Sequence, residues 1–281
     1  MEQRIAHDPG GLSGAGAPAE DVEFLRRPEV IADAYKRWSP AAQNADGIIA
    51  RELLRSLPST LSEQEARRHL VSVTALQTRP RERLPYASYL SWEEAGKFLK
   101  DYIGHPEGET RGHALSVLLT IAGWTTEEER RRTLVEEALK LVKARKNEQD
   151  PVRLVMLQTL CAWPRRAWTA QNLPTVGQIL RDALDAADLS HATARAAEEL
   201  VVRLFPIDGS FCGTWLATLI KERGTIYQPR IGDRLSDDDV RAVAAPLLAV
   251  AKSWASRERE GHLVQLVASL KERLPLVPGL A

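Results

Sequence analysis

The chain has 281 residues, with 38 Lys and Arg balanced by 38 Asp and Glu, so its formal net charge is zero. Hydrophobic residues make up 44% and charged residues 27% of the sequence, as in soluble globular proteins, which excludes a fibrous or low-complexity chain. The neutral charge argues against a dedicated nucleic-acid coat protein, and two cysteines cannot form a disulfide framework.

The first residues predict an extended tail ahead of the folded part. Residues 8–19 are small, polar and rich in Gly and Pro, which predicts a disordered tail over residues 1–19. The first five residues carry no apolar signal segment, and no apolar run approaches the roughly 18 residues of a membrane-spanning helix. We therefore expect a cytoplasmic protein without a membrane partner, and a single domain over residues 20–281.

From Glu20 onward, apolar residues recur at spacings of three and four, which predicts amphipathic helices and an all-α fold. A leading pair is predicted over 22–38 and 46–57, and further pairs over 62–104, 109–146, 150–188, 190–224 and 236–275. Four N-caps are predicted from capping-box spacing: Ser62 with Glu65, Ser91 with Glu94, Thr126 with Glu129, and Ser236 with Asp239. Residues 224–235 form the longest predicted ordered loop.

An internal repeat is the strongest signal in the sequence. Arginines recur at intervals of 44, 42, 42 and 46 residues, with apolar or small residues following most of them in register: Arg67, Arg111, Arg153, Arg195 and Arg241. A period in the low forties with room for two helices is typical of a stacked α-solenoid, in which neighbouring pairs bury each other's apolar stripes.

At two of these arginines the chain resembles the first helix of HEAT repeats. Asp150-Pro151-Val152-Arg153 matches the family's pattern of Asp before a Val-Arg pair, and residues 238–245 match it again with small residues following. The resemblance covers roughly residues 62–275. It implies a HEAT/armadillo-like, right-handed α-solenoid of about five to six stacked helical pairs, which serves as a scaffold or binding surface without naming a ligand.

No catalytic, metal or cofactor site is predicted. The glycines at 11–16 lack the Lys and Ser/Thr of a phosphate-binding loop, and the six histidines do not have zinc-ligand spacing. Glu198 and Glu199 are adjacent on a helix and so point about 100° apart, which prevents them from acting as one carboxylate pair. They are interpreted as exposed, with an ion pair to Arg195 or Arg203.

The aromatic residues suggest packing at some positions and partner contact at others. Trp124 and Trp163 end first helices 39 residues apart, and this repeated position predicts packing between layers. Two segments combine Arg with an aromatic ring, the residue types favoured at interfaces. The candidate partner-binding residues in them are Arg165, Arg166, Trp168, Tyr227, Arg230 and Arg234, although Trp168 is also interpreted as a packing residue.

Three functions are compatible with these features. The first is a non-catalytic scaffold for another protein, an adaptor or accessory subunit, with its oligomeric state left open. The second is a nucleic-acid binder or DNA-base-acting enzyme that uses a concave basic and aromatic face, with these first suspects: Arg165, Arg166, Trp168, Lys140 and Lys143. The third is an all-α enzyme with a pocket inside the bundle. A continuous basic groove would favour nucleic acid, whereas a mixed or apolar groove favours protein.

Overall fold

The computed structural model describes residues 28–224, 227, 231–254 and 260–280. Within these ranges the chain forms fifteen α-helices, joined by short 3-10 helices and turns, and no β-strand, so the all-α prediction is confirmed. The tail predicted at residues 1–19 lies outside the described residues. The contacts divide the chain into two compact units, Met1–Thr74 and Ala75–Ala281. The single domain over 20–281 stays a prediction.

The N-terminal unit contains α1 (Pro28–Ala42), α2 (Arg51–Leu54) and α3 (Ser59–Val71), and α4 (Thr74–Gln77) begins at its last residue. The helix predicted over 46–57 is therefore much shorter than expected. Its start is replaced by a turn in which the Asn44 side chain accepts hydrogen bonds from the backbone N–H groups of Asp46 and Ile48. Such a turn satisfies backbone groups that a helix would otherwise satisfy.

His69 is a structural residue of this unit. Its side chain is fully buried, and Nε2 accepts a hydrogen bond from the Ile49 N–H at 2.8 Å. Nδ1 lies 2.7 Å from the backbone carbonyl of Glu65, so this nitrogen carries the proton and donates it. Burial lowers the pKa of His69 and keeps the ring neutral. Both nitrogens are thus engaged in fixing the fold.

The C-terminal unit contains the remaining helices. They are α5 (Pro80–Arg83), α6 (Trp92–Ile103), α7 (Gly108–Trp124), α8 (Glu128–Ala144), α9 (Asp150–Cys161), α10 (Leu173–Leu184), α11 (His191–Leu204), α12 (Gly209–Arg223), α13 (Ile231–Arg234), α14 (Asp237–Ser253) and α15 (Glu260–Leu270). The 3-10 helices are Leu84–Tyr89, Arg165–Ala167, Ala170–Asn172 and Lys271–Leu276. The pairs predicted from residue 109 onward match α7 to α12, α14 and α15, whereas α13 lies where a loop was predicted.

Two of the four predicted N-caps are confirmed. Ser91 and Ser236 each accept a hydrogen bond from the backbone N–H three residues on. The caps predicted at Ser62 and Thr126 are wrong. The hydroxyl of Ser62 is buried inside α3 and donates to carbonyls of the preceding turn. Glu127 caps α8 instead, because its carboxylate accepts two backbone N–H groups and suits the positive end of the helix dipole.

Helices that alternate along the chain pack side by side. α7 packs against α9 and α9 against α11, while α8 packs against α10. One apolar core runs between these elements from α7 to the C-terminal helices. The pattern changes after α11. α14 is the first helix of the last pair, but it packs mainly against α12, the second helix of the pair before it. Gly213 permits this approach, because a Cβ on it would lie 3.2 Å from the Val243 Cα.

Two of the repeated arginines form the same kind of bridge. Arg111 donates to the Glu148 carboxylate, which follows α8, with Nη2 at 2.8 Å, and to the His105 carbonyl. Arg153 donates to the Asp188 carboxylate, which follows α10, and to the Glu148 carbonyl. Each guanidinium therefore ties a first helix to the turn before it and to the turn that ends its pair. Planar, multiply donating Arg suits this geometry.

The other repeated arginines do not form this bridge in the same way. Arg67 and Arg241 make ion pairs within their own helices, to Glu63 and Asp238, and these side chains are largely exposed. Such pairs contribute little to stability. The repeat is therefore physically equivalent at Arg111 and Arg153, the central part of the aligned region.

Replacing the carboxylate of Glu148 tests the bridge through its pH dependence. Burial alone would raise the pKa of Glu148, but hydrogen bonds from Arg111 and Arg145 outweigh this effect and lower it. A lowered pKa stabilises the fold fully above the unfolded value of about 4.3, and this contribution disappears as the pH falls through the folded pKa. We expect E148Q to cost about 2 kcal/mol at pH 7 and less at pH 3, measured by urea unfolding.

The matched control for this prediction is E136Q. Glu136 pairs with Lys140 on the exposed surface of α8. Its loss should change the free energy of unfolding by less than about 0.5 kcal/mol at either pH. An E148Q cost that is the same at pH 3 and pH 7 would contradict an electrostatic role for this carboxylate.

Candidate functional site

The segment around Trp168 is largely part of the core. Trp168 is only 6% exposed, and its ring lies 4.9 Å from that of Trp163. This burial supports the interpretation of Trp168 as a packing residue and argues against its use as a partner contact. Arg165 is exposed and donates to the Pro206 carbonyl at 3.2 Å.

Trp124 is the exposed tryptophan that the sequence analysis missed. Its side chain is 53% exposed, so the predicted packing between layers is wrong for this residue. The guanidinium of Arg166 lies 6.0 Å from the centre of its ring, within range of a cation–π interaction. The structure thus joins one predicted contact residue, Arg166, to an aromatic ring on a different turn.

Arg131 positions this pair. Its side chain is mostly buried, with Nε donating to the Arg166 carbonyl at 3.2 Å. Nη1 donates to the carbonyls of Thr125 and Thr126 at 3.3 and 3.0 Å. One guanidinium therefore connects the turn after Trp124 with the turn that carries Arg166. Groups held in place before binding lose less conformational entropy when a ligand arrives.

A groove that Arg166 helps to line runs along α8 and α10. It consists of two adjoining cavities of about 400 and 560 Å³ that share Lys140, and we call it the α8–α10 groove. Its charged lining residues are Glu128, Arg131, Arg132, Glu136, Lys140, Lys143, Lys146, Arg166, Arg181 and Asp182. Seven of these are basic and three are acidic, so the groove is mixed with a basic surplus, although the whole chain is neutral.

Much of the positive charge is already paired. Lys140 pairs with Glu136 at 2.6 Å, Arg132 pairs with two glutamates of its own helix, and Arg181 pairs with Asp185 and Glu222. Lys143, Lys146 and Arg166 are exposed and make no ion pair with any described residue. These three cations are therefore available to an external anionic group.

The second predicted contact segment turns towards α11. The Tyr227 N–H donates to the fully buried carboxylate of Glu198 at 3.0 Å, and Arg234 holds Glu199 through two nitrogens. Arg203 also pairs with Glu199, as predicted, whereas the expected exposure of Glu198 is wrong. Hydrogen bonds from Arg234 and Arg203 lower the pKa of Glu199 despite burial.

These contacts give two residues of the second segment a role within the chain, and their binding of a partner stays a prediction. Tyr227 and Arg234 are engaged within the chain, and Arg234 belongs to the short helix α13, where an irregular loop was predicted. Arg230 lies outside the described residues. Tyr227 and Arg234 bind the two glutamates of α11, which accounts for acidic residues where the repeat pattern expects apolar ones.

A further cavity of about 750 Å³ lies beside α9 and α11, where Cys161, His191, Arg195 and Tyr227 are among the lining residues. Burial raises the pKa of Cys161 to about 12, so its thiol stays protonated and is a poor nucleophile at neutral pH. The described residues contain no group of three or more His, Cys, Asp and Glu side chains placed to hold a metal ion.

The described helices include none with the length and apolar character required to cross a membrane.

Comparison with known proteins identifies no relative: no protein-family model, no curated protein and no solved structure shows a significant match to this chain.

Proposed function

We propose that this chain is a non-catalytic helical-repeat scaffold, an adaptor or accessory subunit, which binds another protein at the α8–α10 groove. The proposal includes a HEAT-like, right-handed α-solenoid of five to six helical pairs. Two contact series support this arrangement, since α7, α9 and α11 pack in succession and α8 packs against α10. In a solenoid such rows present long, continuous surfaces to a partner.

The observation that carries the proposal is the exposed Trp124 with the Arg166 guanidinium over its ring. Trp and Arg are the residues that contribute most often to the energetic centre of protein interfaces. Arg131 connects the two turns through hydrogen bonds to their carbonyls. The adjoining groove has a mixed polar and apolar lining rather than a uniformly basic one. A mixed lining favours a protein partner, whereas a continuous basic groove would favour nucleic acid.

Replacing both members of the pair tests the proposal. Tagged wild type should enrich at least one protein from a lysate of its source cells, and W124A/R166A should lose that protein while keeping the melting temperature of wild type. Stability is retained because Trp124 is already half in solvent and Arg166 is exposed. Enrichment is measured by quantitative mass spectrometry.

The control variant is V264A/R241A, which also removes one exposed apolar side chain and one exposed arginine, on α15 and α14. It should capture the same protein as wild type. If wild type enriches nothing, or if W124A/R166A captures the same protein as well as wild type does, the proposed function is wrong.

A further inference from the structure

The α8–α10 groove has a distinct charge pattern along its length. Arg166, whose guanidinium lies beside the Trp124 ring, lines the first cavity. Lys143 and Lys146, from the last turn of α8 and the residues after it, line the second. Lys140 is shared by both cavities. Cations without an ion pair to a described residue therefore line both of the adjoining cavities.

We propose that the segment of the partner protein that occupies this groove is acidic, with carboxylates placed against Arg166 in one cavity and against Lys143 and Lys146 in the other. This inference rests on the proposed function and names the chemistry of the partner. It follows from charge complementarity. Among the lining residues, three exposed cations make no ion pair with a described residue, whereas Asp182 is the only acid that makes none.

The length of the groove sets the length of the segment. α8 has 17 residues, and at about 1.5 Å per residue it spans roughly 25 Å. An extended peptide rises about 3.3 Å per residue, so about eight residues cover this distance. Successive side chains of an extended segment point to opposite faces, so only every second acid of an acidic segment points into the groove, which limits its repulsion by Glu128, Glu136 and Asp182.

A nucleic acid fits this lining less well than an acidic peptide. Duplex DNA places a phosphate charge about every 1.7 Å along its axis, so phosphates would lie close to the carboxylates that line the groove. The paired cations Arg132, Lys140 and Arg181 would also have to exchange carboxylate partners for phosphates. A peptide leaves those pairs intact and uses the three available cations.

Fluorescence anisotropy with defined probes tests this inference on the full chain. The probes are a fluorescein-labelled octa-glutamate peptide and a labelled 20-base-pair DNA duplex, each titrated at low and at high salt. Wild type should bind octa-glutamate at low salt and release it at high salt, because exposed charges are screened. K143E/K146E should weaken this binding at least tenfold, while circular dichroism shows an unchanged melting curve.

R195E/K252E is the control, because it reverses two exposed cations on α11 and α14 that do not line the groove and so changes the net charge equally. It should bind octa-glutamate within twofold of wild type. Absence of octa-glutamate binding, equal binding by K143E/K146E, or at least tenfold tighter binding of DNA than of octa-glutamate would each overturn the inference. A protein captured through Trp124 and Arg166 would then still support the proposed function, so the two failures are distinguishable.

Discussion

W163A is expected to lower the free energy of unfolding by about 3–5 kcal/mol, as for other fully packed tryptophans. Trp163 is 3% exposed, its ring packs against that of Trp168 at an interplanar angle of 37°, and its Nε1 donates to the Leu119 carbonyl at 2.8 Å. Truncation therefore opens a cavity between α7 and the turn after α9 and removes the indole hydrogen bond to the Leu119 carbonyl, which keeps only its bond within the helix. The shift of the urea midpoint, followed by circular dichroism, measures this loss.

W124A is the matched control, since Trp124 ends α7 much as Trp163 follows α9. With half of its ring already in solvent, Trp124 should contribute less than about 1 kcal/mol. W163F should lie between wild type and W163A, because it keeps an aromatic ring but removes the indole N–H. Equal midpoints for W163A and W124A would show that the two tryptophans do not differ in the way described here.

G123A is expected to destabilise the protein by about 2–3 kcal/mol, although Gly to Ala inside a helix normally stabilises. Gly123 lies in the last turn of α7, directly beneath the ring of Trp163. A Cβ at this position would lie 2.5 Å from Cγ and Nε1 of that ring, closer than van der Waals contact allows. The ring would have to move and would lose its hydrogen bond to Leu119. Urea unfolding measures the change.

G96A is the control for G123A. Gly96 lies inside α6, and a Cβ there meets no atom within 4 Å, so this change should stabilise the protein by about 0.5–1 kcal/mol. The W163A background provides the second check, because without the indole ring G123A should no longer destabilise. A double-mutant cycle reports this coupling. Destabilisation by G123A that persists in the W163A background would rule out the steric explanation.

The sequence predicts the helices well where apolar periodicity and a cap coincide. α14 begins after Ser236 as expected, and α8 is displaced by only one capping residue, to Glu127. The N-terminal unit is predicted less well, since a turn organised by the Asn44 side chain competes with a helix there. Apolar periodicity indicates which face a helix buries. It carries no information on side chains such as Asn44 that accept hydrogen bonds from nearby backbone N–H groups.

The candidate site is predicted only in part, because exposure depends on tertiary neighbours. The ring of Trp163 packs over Gly123, which precedes it by 40 residues. The residue 40 positions before Trp124 is Leu84, which is not a glycine. That difference was readable in the sequence. The basic surplus of the groove was not readable, since it depends on which lysines of α8 face α10 and which have internal partners. Arg166 was identified from the residue types around it, whereas its contact with the Trp124 ring is apparent only in the folded structure.

The bridges of Arg111 and Arg153 have a consequence for how such a chain can lengthen. In each, the acid that the arginine selects, Glu148 or Asp188, lies at the end of the same helical pair, whereas across the junction the arginine meets only backbone carbonyls. Every chain supplies such carbonyls whatever its side chains. Gene duplication of one pair would therefore carry its matched charges with it, and this bridge would need no compensating charge on the new neighbour.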